Sequence, residues 1–338
     1  MEYLTMTRLV QLRHPSTGRR VALVLGPELV LVNAASVYEL AQSALRSGRS
    51  TIDTVRASLS HETISYDTVY SGASEWRILP CFHHPDDPAR CLVSGTGLTH
   101  KGSAENRHAM HAATAPETLT DSIKMFRWGI EGGRPDAGQI GVAPEWFYKG
   151  CGTILRGDGE PLVVPEFGED GGEEAEIAGV YIIDDAGHPR RIGMTVGNEF
   201  SDHRTERRNY LYLAHSKMRT CSIGPELVLD PDFKLVHGVV TIERNGRRIW
   251  SKEIVSGEGA MCHSLANIEH HHFKYGAHRR PGDAHIHFLG ADALSFGDGI
   301  ELQDGDVMLV AFQGFGRALR NPVRIERREQ KLVTVLKI

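Results

Sequence analysis

Two glutamates separated by a single residue open an apolar stretch in the segment GGEEAEIAGV, residues 171–180. The stretch from Ile177 predicts a β-strand, on which residues two apart face the same side, so Glu174 and Glu176 are expected to project together. Neighbouring carboxylates repel each other unless a cation lies between them. Carboxylate oxygens suit Mg²⁺ or Mn²⁺ better than zinc. The pair therefore indicates either a divalent metal site or a solvated acidic turn before the strand.

A third acid and a lysine follow in the next part of the chain. Glu199 stands among small and apolar residues in GMTVGNEFS, and it could complete a three-carboxylate site with open positions for water and substrate. A helix is predicted over 202–216, with Ser201 as a candidate N-cap. Lys217 would close this helix, where a cation suits the helix dipole. Alternatively, its ammonium group could hold a substrate carboxylate.

The elements that must position these residues are mostly short strands. From residue 91 onward, short β-like runs alternate with glycine-rich turns, and the 36 Gly against 15 Pro in the chain indicate tight turns rather than disorder. The first segment predicts a hairpin from 7–12 and 21–24, followed by a helix over 34–47 that ends at Gly48. A linker rich in Pro, Asp and His over 80–89 predicts two domains, residues 1–85 and 86–338.

The composition excludes several classes of protein. The formal net charge is −5, which argues against a dedicated nucleic-acid binder. We expect no membrane span, because no apolar run approaches the ~20 residues that crossing a bilayer requires. The N-terminus lacks the features of a signal peptide. The five cysteines form no C-x-x-C pair and are an odd number, so reduced thiols in a cytoplasmic protein are expected.

Several short motifs follow one another in a fixed order between residues 91 and 338. They are Pro144-Glu145-x-Phe147-x-Lys149, Glu174-x-Glu176, Thr195-x-x-Asn198-Glu199-x-Ser201, Lys217, Ile223-Gly224-Pro225, Gly305-Asp306, Gly314-x-Gly316 and Asn321-Pro322-Val323. This region resembles the fumarylacetoacetate hydrolase superfamily, and several ordered motifs are more specific than any one of them. The resemblance implies a mostly β, α+β protein with a rolled β catalytic domain and a small N-terminal α+β domain. It also implies that Glu174, Glu176 and Glu199 bind Mg²⁺, with Mn²⁺ as the alternative ion.

The sequence departs from the pattern of the family at two positions. Glu199 stands where the family usually has aspartate, which lengthens the side chain by one methylene. Ser103, in GLTHKGSAE, stands where the hydrolases carry the histidine that activates water. His100 and His108 lie nearby and could replace it. Glu145, by contrast, matches a glutamate of the sugar-acid dehydratase branch. In this respect the sequence resembles the 2-keto-3-deoxy-arabinonate and pentonate dehydratases.

This branch implies a Mg²⁺-dependent lyase that dehydrates a 2-keto-3-deoxy sugar acid, most simply a pentonate, in the cytoplasm. The resemblance implies Glu145 and Lys217 as catalytic residues, substrate binding by Lys149, Ser103 and Ser295, and a homodimer or homotetramer. The expected partner is a small keto acid, with neither nucleic acid nor membrane. The first alternative is a metal-dependent hydrolase that cleaves a carbon–carbon bond in a 2,4-diketo acid. The second is a sugar-acid binding module without activity.

Two histidine motifs indicate a further alternative. His270, His271 and His272 are consecutive, and consecutive residues on a helix point in different directions, so a polar surface is predicted rather than a zinc site. His285 and His287 would share one face of a strand. A cupin-like metal site formed by these histidines is therefore an alternative to the site formed by the three glutamates.

Overall fold

The computed structural model describes residues 6–111 and 120–338, which form two β-sheets and flanking helices. Within these residues no helix combines the length and the apolarity needed to cross a membrane. The strands are β1 (Thr7–His14), β2 (Gly18–Leu25), β3 (Glu28–Val32), β4 (Leu59–Ser65), β5 (Arg77–Ile78), β6 (Cys91–Gly95), β7 (Phe147–Cys151), β8 (Leu155–Arg156), β9 (Leu162–Val164), β10 (Ala175–Ile183), β11 (Pro189–Asn198), β12 (Cys221–Leu229), β13 (Val236–Arg244), β14 (Arg247–Ser256), β15 (Ala284–Phe288), β16 (Val307–Phe312) and β17 (Leu319–Ile325). The helices are α1 (Val37–Ser47), α2 (Thr51–Ala57), α3 (Tyr66–Tyr70), α4 (Lys101–His111), α5 (Asp121–Gly132), α6 (His203–Arg208), α7 (Leu213–Lys217) and α8 (Leu265–Phe273).

The larger sheet runs through both predicted domains. Its strand order is β4-β3-β2-β1-β12-β11-β10-β15-β6-β7, with β5 paired to β1 and β8 paired to β12. The pairing of β1 with β12, antiparallel from Thr7 opposite Leu229, carries the sheet from the first predicted domain into the second. Because the hydrogen bonds are continuous across this join, the sheet itself marks no division, and the boundary at residue 85 stays a prediction.

The smaller sheet, β14-β13-β16-β17-β9, covers one face of β10 and β11. Ile177 and Val196 from the larger sheet pack in one core with Val240 and Val310 from the smaller one. The opposite face of β10 contributes Ala178 and other residues to a second core. All nine residues of β10 are buried, which explains why its sequence is nearly continuous in apolar residues after the two glutamates.

The hairpin and the end of the helix predicted for the N-terminal segment are confirmed, but the helix begins at Val37 and not at residue 34, because Ser36 is its N-cap. β1 and β2 form the expected hairpin, and α1 ends at Gly48, whose φ of 66° is the left-handed conformation that glycine adopts readily. The helix predicted over 202–216 is wrong as a single element. Asn209 is extended and its side chain accepts from the amide of Leu211, so the segment divides into α6, a short 3-10 turn and α7. The N-cap of α6 is Asp202 rather than Ser201.

Candidate active site

Strand pairing brings the three predicted metal ligands together. Glu174 directly precedes β10 and Glu176 lies within it, while Glu199 directly follows β11. In the antiparallel ladder Glu176 faces Gly197, and the amide of Glu199 donates to the carbonyl of Glu174 at 2.9 Å. One oxygen from each carboxylate can be chosen so that all three lie within 4.8 Å of one another. In the described part of the chain, this is the one acid, histidine or cysteine group with the spacing of a metal site.

Two buried lysines neutralise part of this acidic cluster. Nζ of Lys217 lies 2.5 Å from Oε1 of Glu174 and 2.6 Å from Oε2 of Glu199. Nζ of Lys149 lies 2.6 Å from Oε1 of Glu199 and also donates to the carbonyl of Phe200 at 2.8 Å. Lys149 is therefore bound to a predicted metal ligand. Its predicted contact with substrate stays a prediction.

Glu176, the third carboxylate, pairs with neither lysine, so the cluster of three acids is one positive charge short. Burial and the nearby charges of Glu199 and Glu174 raise the pKa of Glu176 well above its usual range. Burial opposes ionisation of Glu174 as well, but the Lys217 ammonium and His203 hold the pKa of that carboxyl well below its usual value. Burial and the charge of Glu174, partly offset by the two lysines, raise the pKa of Glu199 to about 7.

These shifts provide a test of whether the residues fit a divalent ion. A carboxylate that must take up a proton when it is left beside two other acids gains most from a cation at that place. The donor set consists of carboxylate oxygens only, which is the preference of Mg²⁺ and Mn²⁺. Glu174, Glu176 and Glu199 therefore fit such an ion, and His203, at 3.1 Å from Oε1 of Glu174, would orient one ligand from outside.

Glu145, the predicted acid/base residue, lies in a second cluster of charges. Nη1 of Arg107 donates to Oε1 and Oε2 of Glu145 at 2.6 and 2.8 Å, and the hydroxyl of Tyr210 donates to Oε1 at 3.1 Å. Nε of Arg107 lies 2.6 Å from Oε1 of Glu206. Glu145 is 5% exposed. The carboxylate is thus held from the α4 side by Arg107 and from the turn before α7 by Tyr210.

The two clusters are joined by a cavity of about 20 Å³, which is roughly the space of one water molecule. α4 covers this cavity, and we call it the lid helix. Glu145 contacts Arg107, which lines the cavity. The backbone of Gly97, which also lines the cavity, approaches Oε2 of Glu145 closely. The cavity lining consists of Gly97, Leu98, Ser103, Arg107, Glu174, Glu176, Glu206, Ala291 and Leu294.

The structure places the two predicted serines differently. Ser103 lines the cavity, and its hydroxyl donates to the carbonyl of His100 at 3.0 Å. Ser295 binds Glu173 instead, through its amide and its hydroxyl, both at 2.7 Å. Because the hydroxyl proton of Ser295 is used in this way, its oxygen could only accept a hydrogen bond from a substrate. Both substrate contacts stay predictions.

The histidine motifs lie outside the acidic cluster. The predicted polar surface is wrong for His271 and His272, which are buried because α8 packs these side chains against the rest of the protein. His285 and His287 share one face of β15, and His272 donates to or accepts from His285 at 3.0 Å. His287 contacts the hydroxyls of Ser94 and Thr96 at 2.9 and 2.7 Å. These hydroxyl and imidazole groups hydrogen-bond both nitrogens of His287 and Nδ1 of His285, whereas Nε2 of His285 is buried without a partner.

Three residues of the site were missed by the sequence analysis. Arg107 lies in a polar helix, and Glu206 stands beside arginines in the run TERR, so both resemble solvent-exposed helix residues. Tyr210 follows the unexpected break at Asn209. Nothing local in the sequence distinguishes them, since their roles arise from contacts between α4, α6 and the segment before β7.

Comparison with solved structures shows the class of fold. The chain matches the apo form of 2-keto-3-deoxy-D-arabinonate dehydratase with a TM-score of 0.69 at 20% identity, over 95% of this chain and 100% of that one. The same enzyme complexed with magnesium and 2,5-dioxopentanoate matches with a TM-score of 0.69 at 19% identity over the same shares. A 2-hydroxyhepta-2,4-diene-1,7-dioate isomerase from Mycobacterium marinum matches with a TM-score of 0.59 at 15% identity, over 95% of this chain and 100% of that one. The predicted fold class is therefore confirmed.

A relative in sequence gives a more particular likeness. A protein of Haloferax volcanii, named as a probable 2-keto-3-deoxyxylonate dehydratase, is 29% identical over 131 residues. The matched segment is 37% of this chain and 43% of that protein, so it spans less than half of the relative. No protein-family model matches the chain. The predicted resemblance to sugar-acid dehydratases is confirmed by these likenesses.

Proposed function

We propose that this protein is a Mg²⁺-dependent dehydratase of a 2-keto-3-deoxy sugar acid. A five-carbon substrate is favoured, because the similar proteins are named for arabinonate and xylonate derivatives. Loss of one water from such an acid gives 2,5-dioxopentanoate, a 2-oxoglutarate semialdehyde, which is the compound named in one of the similar structures. The observation that carries the proposal is the buried carboxylate triad beside Lys217, with Glu145 held by Arg107, which lines the same cavity as Glu174 and Glu176.

Glu174, Glu176 and Glu199 would hold the ion. Magnesium at this position would supply Lewis-acid polarisation of the 2-keto group, which acidifies the protons on carbon 3. Glu145 would remove one of these protons and return it to the hydroxyl group that leaves carbon 4 as water. The elimination leaves a double bond between carbons 3 and 4, and a proton shift from carbon 5 to carbon 3 then gives the enol form of the aldehyde without any oxidant. The ammonium group of Lys217, beside two of the ligands, would offset the negative charge that develops on the substrate.

The cavity lining supports elimination over hydrolysis. A carbon–carbon hydrolase needs a group that activates water, and the described residues that line the cavity include no histidine. His100 contacts Thr99 at 2.9 Å, and His108 contacts Thr120 at 3.1 Å. A diketo-acid hydrolase remains the second candidate, because Nε2 of His100 is buried without a hydrogen-bond partner close to the lid helix.

The cellular compartment, the number of subunits and the choice of metal are also part of the proposal. We propose a cytoplasmic enzyme of sugar-acid catabolism that works as a homodimer or homotetramer, with Mn²⁺ able to replace Mg²⁺. Five cysteines without a disulfide are consistent with a reducing compartment. Light scattering of the purified protein would measure the number of subunits. Activity with each ion after chelation would rank the metals.

The deciding experiment is a screen of stereoisomeric 2-keto-3-deoxy pentonates and hexonates with Mg²⁺, followed by mass analysis of the product. Dehydration gives one product lighter by one water, whereas hydrolysis of a diketo acid gives two smaller acids. Glu145→Gln should lower turnover at least ~100-fold without loss of metal binding, since a general base contributes about 10²–10⁴ in rate. Ser103→Ala is the matched cavity variant and should have a much smaller effect. If His100→Ala or His108→Ala abolished turnover while Glu145→Gln did not, the hydrolase would replace the dehydratase.

A further inference from the structure

Arg107 connects the lid helix to two acids from separate parts of the fold. Among the described side chains of α4, it is the one that contacts both Glu145, before β7, and Glu206, on α6. The side chain is 10% exposed, and those of the two glutamates are 3% and 2% exposed. Removal of one member from a buried charge cluster leaves the others uncompensated, which is strongly unfavourable. These contacts therefore hold the lid helix in its place more firmly than its polar sequence suggests.

The rest of α4 provides little apolar packing. Its sequence is KGSAENRHAMH, in which Ala104 is the fully buried apolar residue among the described side chains. The helix approaches its neighbours at glycines: a methyl group on Gly102 would lie 2.1 Å from the carbonyl oxygen of Asp292, and one on Gly297 would lie 2.3 Å from the side chain of Asn106. These close approaches at Gly102 and Gly297 fix the position of the helix, but they bury little apolar surface.

The geometry of the guanidinium group explains why an arginine stands here. Nη1 reaches both oxygens of Glu145, while Nε faces Glu206, so two edges of one planar group are used at once. A lysine ammonium presents one nitrogen in place of two separate ones, so it cannot occupy the positions of both Nη1 beside Glu145 and Nε beside Glu206. Among the described residues, Arg107 is also the cation that pairs with Glu145. Tyr210, outside the lid helix, contacts only Oε1 of Glu145, so the position of Oε2 depends on the lid helix being docked.

We propose that Arg107 is a positioning residue, which orients Glu145 for proton transfer only while the lid helix is docked, with Glu206 as the second anchor of its guanidinium group. This inference rests on the proposed dehydratase function. It makes closure of the lid and placement of the base a single event. Substrate would enter with the lid helix displaced, because the cavity under the docked helix is about 20 Å³. Re-docking would then return the carboxylate to its working orientation.

The first test separates orientation from binding. Arg107→Lys and Glu206→Gln should each lower kcat at least ~30-fold while KM changes by less than ~3-fold, because a misplaced base affects the chemical step alone. Guanidinium ion at a low, non-denaturing concentration should restore part of the kcat of Arg107→Ala, and methylammonium should not. Arg208→Ala is the control, since this nearby arginine is 66% exposed in the side chain and pairs with Glu169. A rise in KM with unchanged kcat would overturn the assignment and make Arg107 a substrate-binding residue.

The second test does not depend on turnover. Amide hydrogen exchange over 101–111 should become faster in Arg107→Ala and Glu206→Gln than in the wild type and in Arg208→Ala. Unchanged protection of the lid helix in both variants would overturn the coupling. If the wild type dehydrates none of the keto acids, the proposed function fails. If the wild type is active and the two variants keep its kcat, only the inference about Arg107 fails.

Discussion

Gly97 provides a steric test of the position of Glu145. A methyl group on its Cα would lie 1.8 Å from Oε2 of Glu145 and 3.7 Å from Nη2 of Arg107. Gly97 is not among the glycines with positive φ, so its backbone conformation permits alanine. Gly97→Ala should therefore act on the carboxylate by contact and not by backbone strain.

The expected magnitude follows from the overlap. Non-bonded contacts of a Cβ atom below 3.0 Å are essentially never seen, so the carboxylate must retreat by roughly 1 Å or more. A misplacement of about 1 Å in a catalytic group can cost ~10²-fold in rate. We therefore expect kcat to fall about 100-fold, which corresponds to ~2.7 kcal/mol in the activation barrier.

The assay is turnover of the keto acid that the wild type accepts, together with calorimetric titration of Mg²⁺. Metal binding should be retained, because Gly97 is not one of the ligands. Gly276→Ala is the matched control, since no atom lies within 4 Å of the added methyl group. Turnover of Gly97→Ala within about threefold of the wild type would refute the assignment of Glu145 as the base.

Three further outcomes are expected. Mg²⁺ at a hundredfold excess over its Kd should raise the free energy of unfolding by ~2.7 kcal/mol, and Glu176→Gln should remove this stabilisation. Full activity in excess EDTA would contradict the proposed metal site. Borohydride added with substrate should leave the protein mass unchanged, because Lys217 acts through its charge; a trapped adduct on Lys217 would contradict this. Burial, and then neighbouring histidine charges, lower the pKa of His285 to about 4 and that of His287 to about 3, from 6.5. The unfolded chain therefore binds these protons first, so stability is lost as the pH falls below 6.5, and the loss levels off below these folded-state pKa values. His287→Gln should remove about 2 kcal/mol of the difference in unfolding free energy between pH 8 and pH 5. His188→Gln, whose side chain is 65% exposed, is the control and should leave this difference unchanged. Equal pH dependence of the wild type and both variants in urea unfolding would show that His287 does not contribute.

The sequence by itself determined which three carboxylates come together and the elements that carry them. Glu174 and Glu176 could be placed on one side of a strand because the strand period is two residues, and this rule is local. Glu199 and Lys217 were found because they follow in a fixed order of motifs. The hairpin of β1 and β2 and the end of α1 at Gly48 were likewise predictable from turn and cap residues.

Only the tertiary structure decided which other residues join the site. Arg107 and Glu206 are far apart in the chain and are typical of surface charges, yet they are buried against each other, and Arg107 also contacts Glu145. Asn209 ends α6 because its side chain caps the following turn, where an uninterrupted helix was expected. His272 is enclosed by β15 and α8. The physical reason is common to all of these: burial and the pairing of buried charges depend on contacts between segments distant in sequence, whereas periodicity and capping depend on near neighbours.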